Sequence, residues 1–134
     1  MHYNYRHYNS LSTEHYSMNS FHNLFNSLST DSNKKGEQFE RITKWFLEND
    51  PKWSSKIDRV WLWNDFPQKW ARDRGIDLVC LFKDGTHWAV QSKCYHPDYS
   101  LKKTDINSFL SESNRKEITG RILVATTNQL GERR

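Results

Sequence analysis

Residues 75–93, GIDLVCLFKDGTHWAVQSK, constrain the fold more than any other stretch: two apolar runs are joined by Lys83-Asp84-Gly85-Thr86. Turn residues between apolar, β-branched flanks predict a hairpin with strands near 76–82 and 86–94. Three polar groups interrupt the pattern, Asp77 in the first run and Gln91 and Lys93 in the second. An uncompensated polar group inside a sheet costs roughly 2–7 kcal/mol. These side chains therefore either lie at exposed strand ends or gather around something that compensates them.

The length of the connection decides between the two. A two-residue loop at Asp84-Gly85 sets Asp77 opposite Ser92 and turns Gln91 and Lys93 away from it. A three-residue loop, Lys83-Asp84-Gly85, shifts the register by one and puts Gly85 in the left-handed conformation of a bulged turn. Asp77 then opposes Gln91, and Lys93 lies on the same face one step further on. The sequence admits both registers. If the groups converge, the carboxylate and amide carbonyl are hard oxygen donors suited to Mg²⁺ that shares its shell with a phosphate. An ammonium group beside them can hold or help deprotonate an attacking water and stabilise charge on the phosphate.

The elements around the hairpin follow from periodicity. Asp31-Ser32-Asn33 supplies helix-start chemistry, and a helix is expected from Lys35 to Asn49. Its apolar stripe is Phe39, Ile42, Trp45 and Phe46, Glu40 lies on the flank with Thr43 and Leu47, and Pro51 ends it. KIDRVWLW, from Lys56 to Trp63, reads as a strand. Ser100 is a candidate cap for a helix near 102–114 with an inner face of Ile106, Phe109 and Leu110. RILVATT, from Arg121, reads as a strand buried on both faces. The order helix, three strands, helix, strand predicts an α/β fold: an antiparallel meander, then a crossover through the second helix, giving one mixed four-stranded sheet flanked by helices.

Residues 1–33 read as a leader, rich in Tyr, His, Asn and Ser, with a short helix from about 21 on the spacing of Phe21, Leu24, Phe25 and Leu28. The spacings of His2, His7, His15 and His22 do not set pairs on one helical turn, so a flexible segment is expected there rather than a metal site. The net charge of +4 permits a polyanionic partner without requiring one. Two cysteines, Cys80 and Cys94, give no disulfide framework, and no segment approaches the length of a membrane span, so a soluble, cytoplasmic protein is expected. In the aromatic–basic run 59–74 most of the tryptophans are assigned to the core, and any grip on a phosphate backbone to Lys69, Arg72 and Arg74.

Asp77 followed by Gln91-Ser92-Lys93 resembles the core motif of the PD-(D/E)XK nuclease superfamily, in the Gln-X-Lys form of Mrr-type restriction endonuclease domains. The order of elements is similar to that superfamily's αβββαβ core. KGEQFE, VWLWNDFP, GIDLV, WAVQSKCY and DINSFLSES, in that order, resemble the N-terminal Mrr-like nuclease of helicase-linked, ATP-driven restriction enzymes of type ISP, from about Phe21 to Gly131. The resemblance implies a Mg²⁺-dependent deoxyribonuclease over 34–134, with Mn²⁺ able to substitute. Asp77, Gln91 and the Ser92 carbonyl would hold the metal, Lys93 would be the catalytic lysine, and Glu40 matches the acid on the family's first helix. Gln91 replaces the superfamily's usual acid and removes one negative charge from the site. DNA is the implied substrate, and helicase and methyltransferase domains, absent from this chain, are the implied partners. The chain is then an excised nuclease domain, a truncated product or a stand-alone relative, and it nicks weakly alone or dimerises to cut a duplex. The rival expectations are a non-catalytic DNA-binding or assembly module of the same fold and a Holliday-junction resolvase.

Overall fold

The computed structural model describes residues 2–7, 12–17, 28, 31–71, 75–94, 100–126 and 129–130. Helix α1, Ser32–Asn49, begins where Asp31 caps it: the carboxylate accepts the Lys34 N–H at 3.1 Å and the carbonyl accepts the Lys35 N–H at 2.8 Å. Its buried face is Phe39, Thr43, Phe46 and Leu47, while Trp45 is 39% exposed. The stripe is thus rotated from the expected one. Thr43 is admitted to the core because its hydroxyl donates to the Phe39 carbonyl at 2.8 Å, leaving no unmet donor. With about 100° between successive residues, this rotation brings Glu40 close to the buried edge beside Leu47.

Pro51 both ends α1 and opens the short helix α2, Pro51–Ser54, whose cap is the Asp50 carboxylate accepting the Lys52 and Trp53 N–H groups at 3.1 and 3.3 Å. Strand β3, Ile57–Leu62, follows and runs into a 3-10 turn, Trp63–Asp65.

The central sheet holds β1 (His2–His7), β2 (Ser12–Ser17), β3, β4 (Leu78–Phe82), β5 (His87–Lys93) and β7 (Ile118–Ala125), in the spatial order β2-β1-β7-β5-β4-β3. Strands β3, β4 and β5 form the antiparallel meander, and β7 lies parallel to β5. This is the expected mixed four-stranded core. The crossover carries β6 (Ser100–Leu101), a 3-10 turn at Lys103–Asp105 and helix α3 (Asn107–Glu112). Strand β6 pairs in parallel with β8, Gln129–Leu130. Ser100 therefore lies in a strand and is not a cap; Ile106 precedes α3 and makes no side-chain cap bond.

The sheet also gains a hairpin that periodicity did not indicate: β1 pairs antiparallel with both β2 and β7. Edge pairing uses backbone N–H and C=O groups, which any sequence carries, so alternation is not needed to recruit these polar residues. Phe21, Leu24 and Phe25 lie outside the described residues; Leu28 packs partly buried against the core.

Alternation along the strands sorts the core. Val60, Leu78, Cys80, Trp88, Val90, Ile122 and Val124 face α1 and pack with Phe39, Phe46 and Leu47. Trp63, Phe66, Ile76, Val79, Ala89 and Phe109 fill the opposite side, with Leu101, Ile106 and Leu123 beside them. Both cysteine thiols are pushed up in pKa, Cys80 and Cys94 alike, chiefly by burial, which makes them packing groups rather than reactive ones. Among the described residues no helix is long and apolar enough to cross a membrane.

Candidate active site

The connection between β4 and β5 takes the three-residue form. The Phe82 N–H donates to the Thr86 carbonyl at 2.8 Å, the Gly85 N–H donates to the Phe82 carbonyl at 2.9 Å, and Gly85 has φ +87°. The Asp84 carboxylate accepts both the Thr86 N–H at 3.0 Å and its hydroxyl at 2.5 Å. Pairing then runs Leu81 with His87, Cys80 with Trp88, Val79 with Ala89 and Leu78 with Val90. The regular pairing ends there, with Asp77 preceding Leu78 and Gln91 following Val90.

At that point the regular ladder gives way to side-chain bonds. The Asp77 N–H donates to the Val90 carbonyl at 2.9 Å, and Asp77 Oδ2 accepts the Ser92 N–H at 2.8 Å and the Ser92 hydroxyl at 3.4 Å. In an extended strand the N–H and C=O of one residue point toward the same neighbour, so the Ser92 carbonyl faces the Asp77 side as well. Gln91 is 4% exposed; its Nε2 donates to the Gly75 carbonyl at 2.9 Å, and its Oε1 is buried with no hydrogen-bond partner. Because a carbonyl only accepts, the amide nitrogen must be the end that faces Gly75.

Burial dominates the electrostatics of Asp77 and raises its carboxyl above the usual value; the Ser92 N–H, the Lys93 ammonium and the Ser92 hydroxyl each pull it partly back. Lys93, half-buried two residues beyond Gln91, is thus close enough for its charge to act on Asp77.

A cleft of about 650 Å³ opens along this end of the sheet. Helix α1 contributes Glu37, Glu40 and Arg41, the end of β3 and its 3-10 turn contribute Leu62, Trp63, Asn64 and Asp65, and Gly75, Ile76 and Asp77 complete the lining. Asp77 and Glu40 therefore share one cleft. Lys69 is exposed, with Nζ donating to the Asn64 carbonyl at 3.1 Å, which holds it at the rim. Arg72 and Arg74 lie outside the described residues. The tryptophans are used for packing: Trp63 donates through Nε1 to the Ala71 carbonyl at 3.0 Å and meets Trp70 edge-on at 4.9 Å. Among the described residues no three His, Cys, Asp or Glu side chains could hold a metal ion together; an ion here would rest on one carboxylate, one amide carbonyl and backbone oxygen.

Of the lining residues, sequence singled out only Glu40 and Asp77 for the site; Arg41 and Gly75 are two that it missed. Arg41 falls on the polar face of α1 and carried no signal. Gly75 has φ +70°, and a Cβ there would lie 2.8 Å from Ser108 Oγ and 3.3 Å from the Phe109 nitrogen; its only trace in the sequence is a glycine just ahead of a strand.

Residues 48–134 match the model of a restriction endonuclease family, Mrr_cat_2. That is more than half of the chain, which belongs to this restriction endonuclease family. Among solved structures, the ATP-dependent Type ISP restriction-modification enzyme LlaBIII bound to DNA is similar at 29% identity with a TM-score of 0.53. The similarity covers 75% of this chain and 6% of that one. No curated protein matches the chain.

Proposed function

We propose that this chain is a divalent-metal-dependent endonuclease domain that hydrolyses DNA phosphodiester bonds. It would act in the cytoplasm as the nuclease of a restriction system whose helicase and methyltransferase domains lie outside the chain. The observation that carries the reading is the buried, unpartnered Gln91 Oε1, one residue before the Ser92 whose N–H binds the desolvated Asp77 carboxylate. An orphaned buried acceptor costs about 1–3 kcal/mol, and native structures keep few without a reason. A hard cation is such a reason, and an all-oxygen donor set fits Mg²⁺, with Mn²⁺ able to substitute. Asp77, Gln91 Oε1 and the Ser92 carbonyl would hold it. When bound, it would supply Lewis-acid stabilisation of the phosphate and a more acidic attacking water.

The chain's own groups have separable tasks in this reading. The Ser92 N–H and hydroxyl fix Asp77 Oδ2, which keeps the carboxylate from turning back into the sheet. Lys93 presents Nζ protons that hold the attacking water and stabilise charge on the phosphate oxygens. Glu40 reaches the site from α1 and orients water. Lys69, Arg72 and Arg74 contact backbone phosphates, which supplies affinity without sequence information. The nuclease core spans 34–134, with the β1–β2 hairpin joined to its sheet through β7, and cutting both strands of a duplex takes two such sites, hence dimerisation or two visits. The DNA-bound, ATP-dependent type ISP relative supports DNA as the substrate.

The test is cleavage of supercoiled plasmid with Mg²⁺ or Mn²⁺ by the unsubstituted chain, Lys93→Ala and Asp77→Asn. Both substitutions should lower the rate by about 10²-fold or more. Equal cutting by all three would sink the assignment. Preferential cutting of four-way junctions by a stable dimer would favour the resolvase instead.

A further inference from the structure

We propose that Gly75 is a positioning residue that fixes Gln91 as a one-sided carbonyl donor, so that the site is built for an amide and works less well with a carboxylate. The inference rests on the nuclease reading above.

Its basis is a pair of facts at one side chain. Gln91 Nε2 is held by the Gly75 carbonyl at 2.9 Å, and Gln91 Oε1 is buried without a partner. One end of the amide is anchored and the other is left as an acceptor, in the only orientation the anchor permits. Glutamate at this position has two acceptors and, when ionised, no proton to donate. One of its oxygens would face the Gly75 carbonyl, acceptor against acceptor, and the side chain would have to turn away. Counting charge alone predicts that a second carboxylate tightens divalent-cation binding. The geometry points to the opposite.

The anchor is itself held by a contact far along the chain. Gly75 takes a left-handed φ of +70°, which L side chains rarely adopt, and its Cα hydrogen side is pressed against Ser108 and the Phe109 nitrogen. Phe109 is fully buried on the far side of the sheet from α1. Helix α3, which supplies no group to the cleft, thereby sets where the Gly75 carbonyl points and so how Gln91 is presented.

The experiment measures Mn²⁺ affinity by calorimetry for the full chain, Gln91→Glu and Gly75→Ala, with thermal midpoints to confirm folding. In parallel, the side-chain amide of Gln91 is followed by NMR during a Mg²⁺ titration. Gln91→Glu should bind Mn²⁺ about tenfold or more weakly, and Gly75→Ala roughly 10- to 100-fold more weakly. The Gln91 NH₂ protons should exchange slowly and persist through the titration while the side-chain carbonyl carbon shifts. A glutamine that merely fills the core would show the slow exchange without the shift. Gln91→Glu binding as tightly as the unsubstituted chain, or more tightly, overturns the proposal. So does an unshifted carbonyl carbon at saturating Mg²⁺; if plasmid cutting persists in that case, the nuclease reading stands without it. Failure of the unsubstituted chain to bind either ion would remove both. Should Gly75→Ala fail to fold, Gln91→Glu and the titration still decide.

Discussion

Gly120→Ala tests whether the register of the central sheet is held by one crowded contact. Gly120 on β7 is the partner of Trp88 on β5, and an added methyl would land on the Cε3, Cζ3 and Cη2 atoms of the Trp88 ring. The ring has nowhere cheap to go. It stacks on Phe82 at 4.8 Å and 21°, and its Nε1 donates to Thr86 Oγ1 at 3.1 Å, a hydroxyl already tied to Asp84. Overpacking of this kind costs about 1–3 kcal/mol, and replacing a strand glycine returns about 0.5–1 kcal/mol of backbone entropy. The balance is a loss of about 1 kcal/mol, and at most about 2.5, which lowers the urea midpoint by roughly 0.5 M with m unchanged. Trp88→Leu is destabilising by itself, yet it empties the space the methyl needs. In that background Gly120→Ala should be neutral or slightly stabilising, a coupling of about 1–2 kcal/mol across the pair. Urea denaturation of the four chains measures it. Additivity within about 0.5 kcal/mol would refute the contact as the source of the cost.

Two further outcomes follow from the turn. A Cβ on Gly85 meets nothing within 4 Å, so substitutions there act through φ alone; Gly85→Val should lose about 1–2 kcal/mol and Gly85→Asn clearly less, read from thermal midpoints. The Asp84 carboxyl is held below its ordinary value of 3.8, first by the Thr86 hydroxyl and then by the Thr86 N–H. A depressed acid contributes stability that is full above its ordinary value and is lost as the pH falls through its folded value. Asp84→Asn should therefore flatten the decline of the thermal midpoint below pH 4 or so, and an unchanged slope would exclude this carboxylate.

The helix α1, the hairpin and the parallel crossover were legible because each is written in local period and turn chemistry. The choice of loop was not: Asp-Gly is also a strong two-residue signal. Packing made the choice. The three-residue register sets Leu78 and Cys80 on the same face as Trp88 and Val90, whereas a slip by one would carry the second pair to the opposite side. The face of α1 was misread at Trp45 and Thr43, since residue type favours burying tryptophan and says nothing of a hydroxyl bonded inside its own helix. The edge hairpin was invisible because backbone pairing leaves little trace in polar side chains. The Gly75–Gln91 bond spans sixteen residues and depends on where α3 docks, which no local pattern encodes.

The three polar residues that interrupt the hairpin sit where regular β4–β5 pairing ends, just beyond Leu78 and Val90. Past that point the chain continues to pair through side chains: a carboxylate accepts the Ser92 N–H and an amide donates to the Gly75 carbonyl. The same groups that would meet a metal thus lie where the β4–β5 ladder ends, while β5 goes on pairing with β7 as far as Lys93. A substitution at Asp77 must then act on both the strand end and the cleft, and one at Gln91 on the bond to Gly75, which lines it; comparing stability with ion binding in the same variant separates the effects. The cost of burying these groups is already offset for Asp77 Oδ2 and for Gln91 Nε2. It remains for Gln91 Oε1, which is why that single atom, rather than the motif as a whole, carries the case for a ligand.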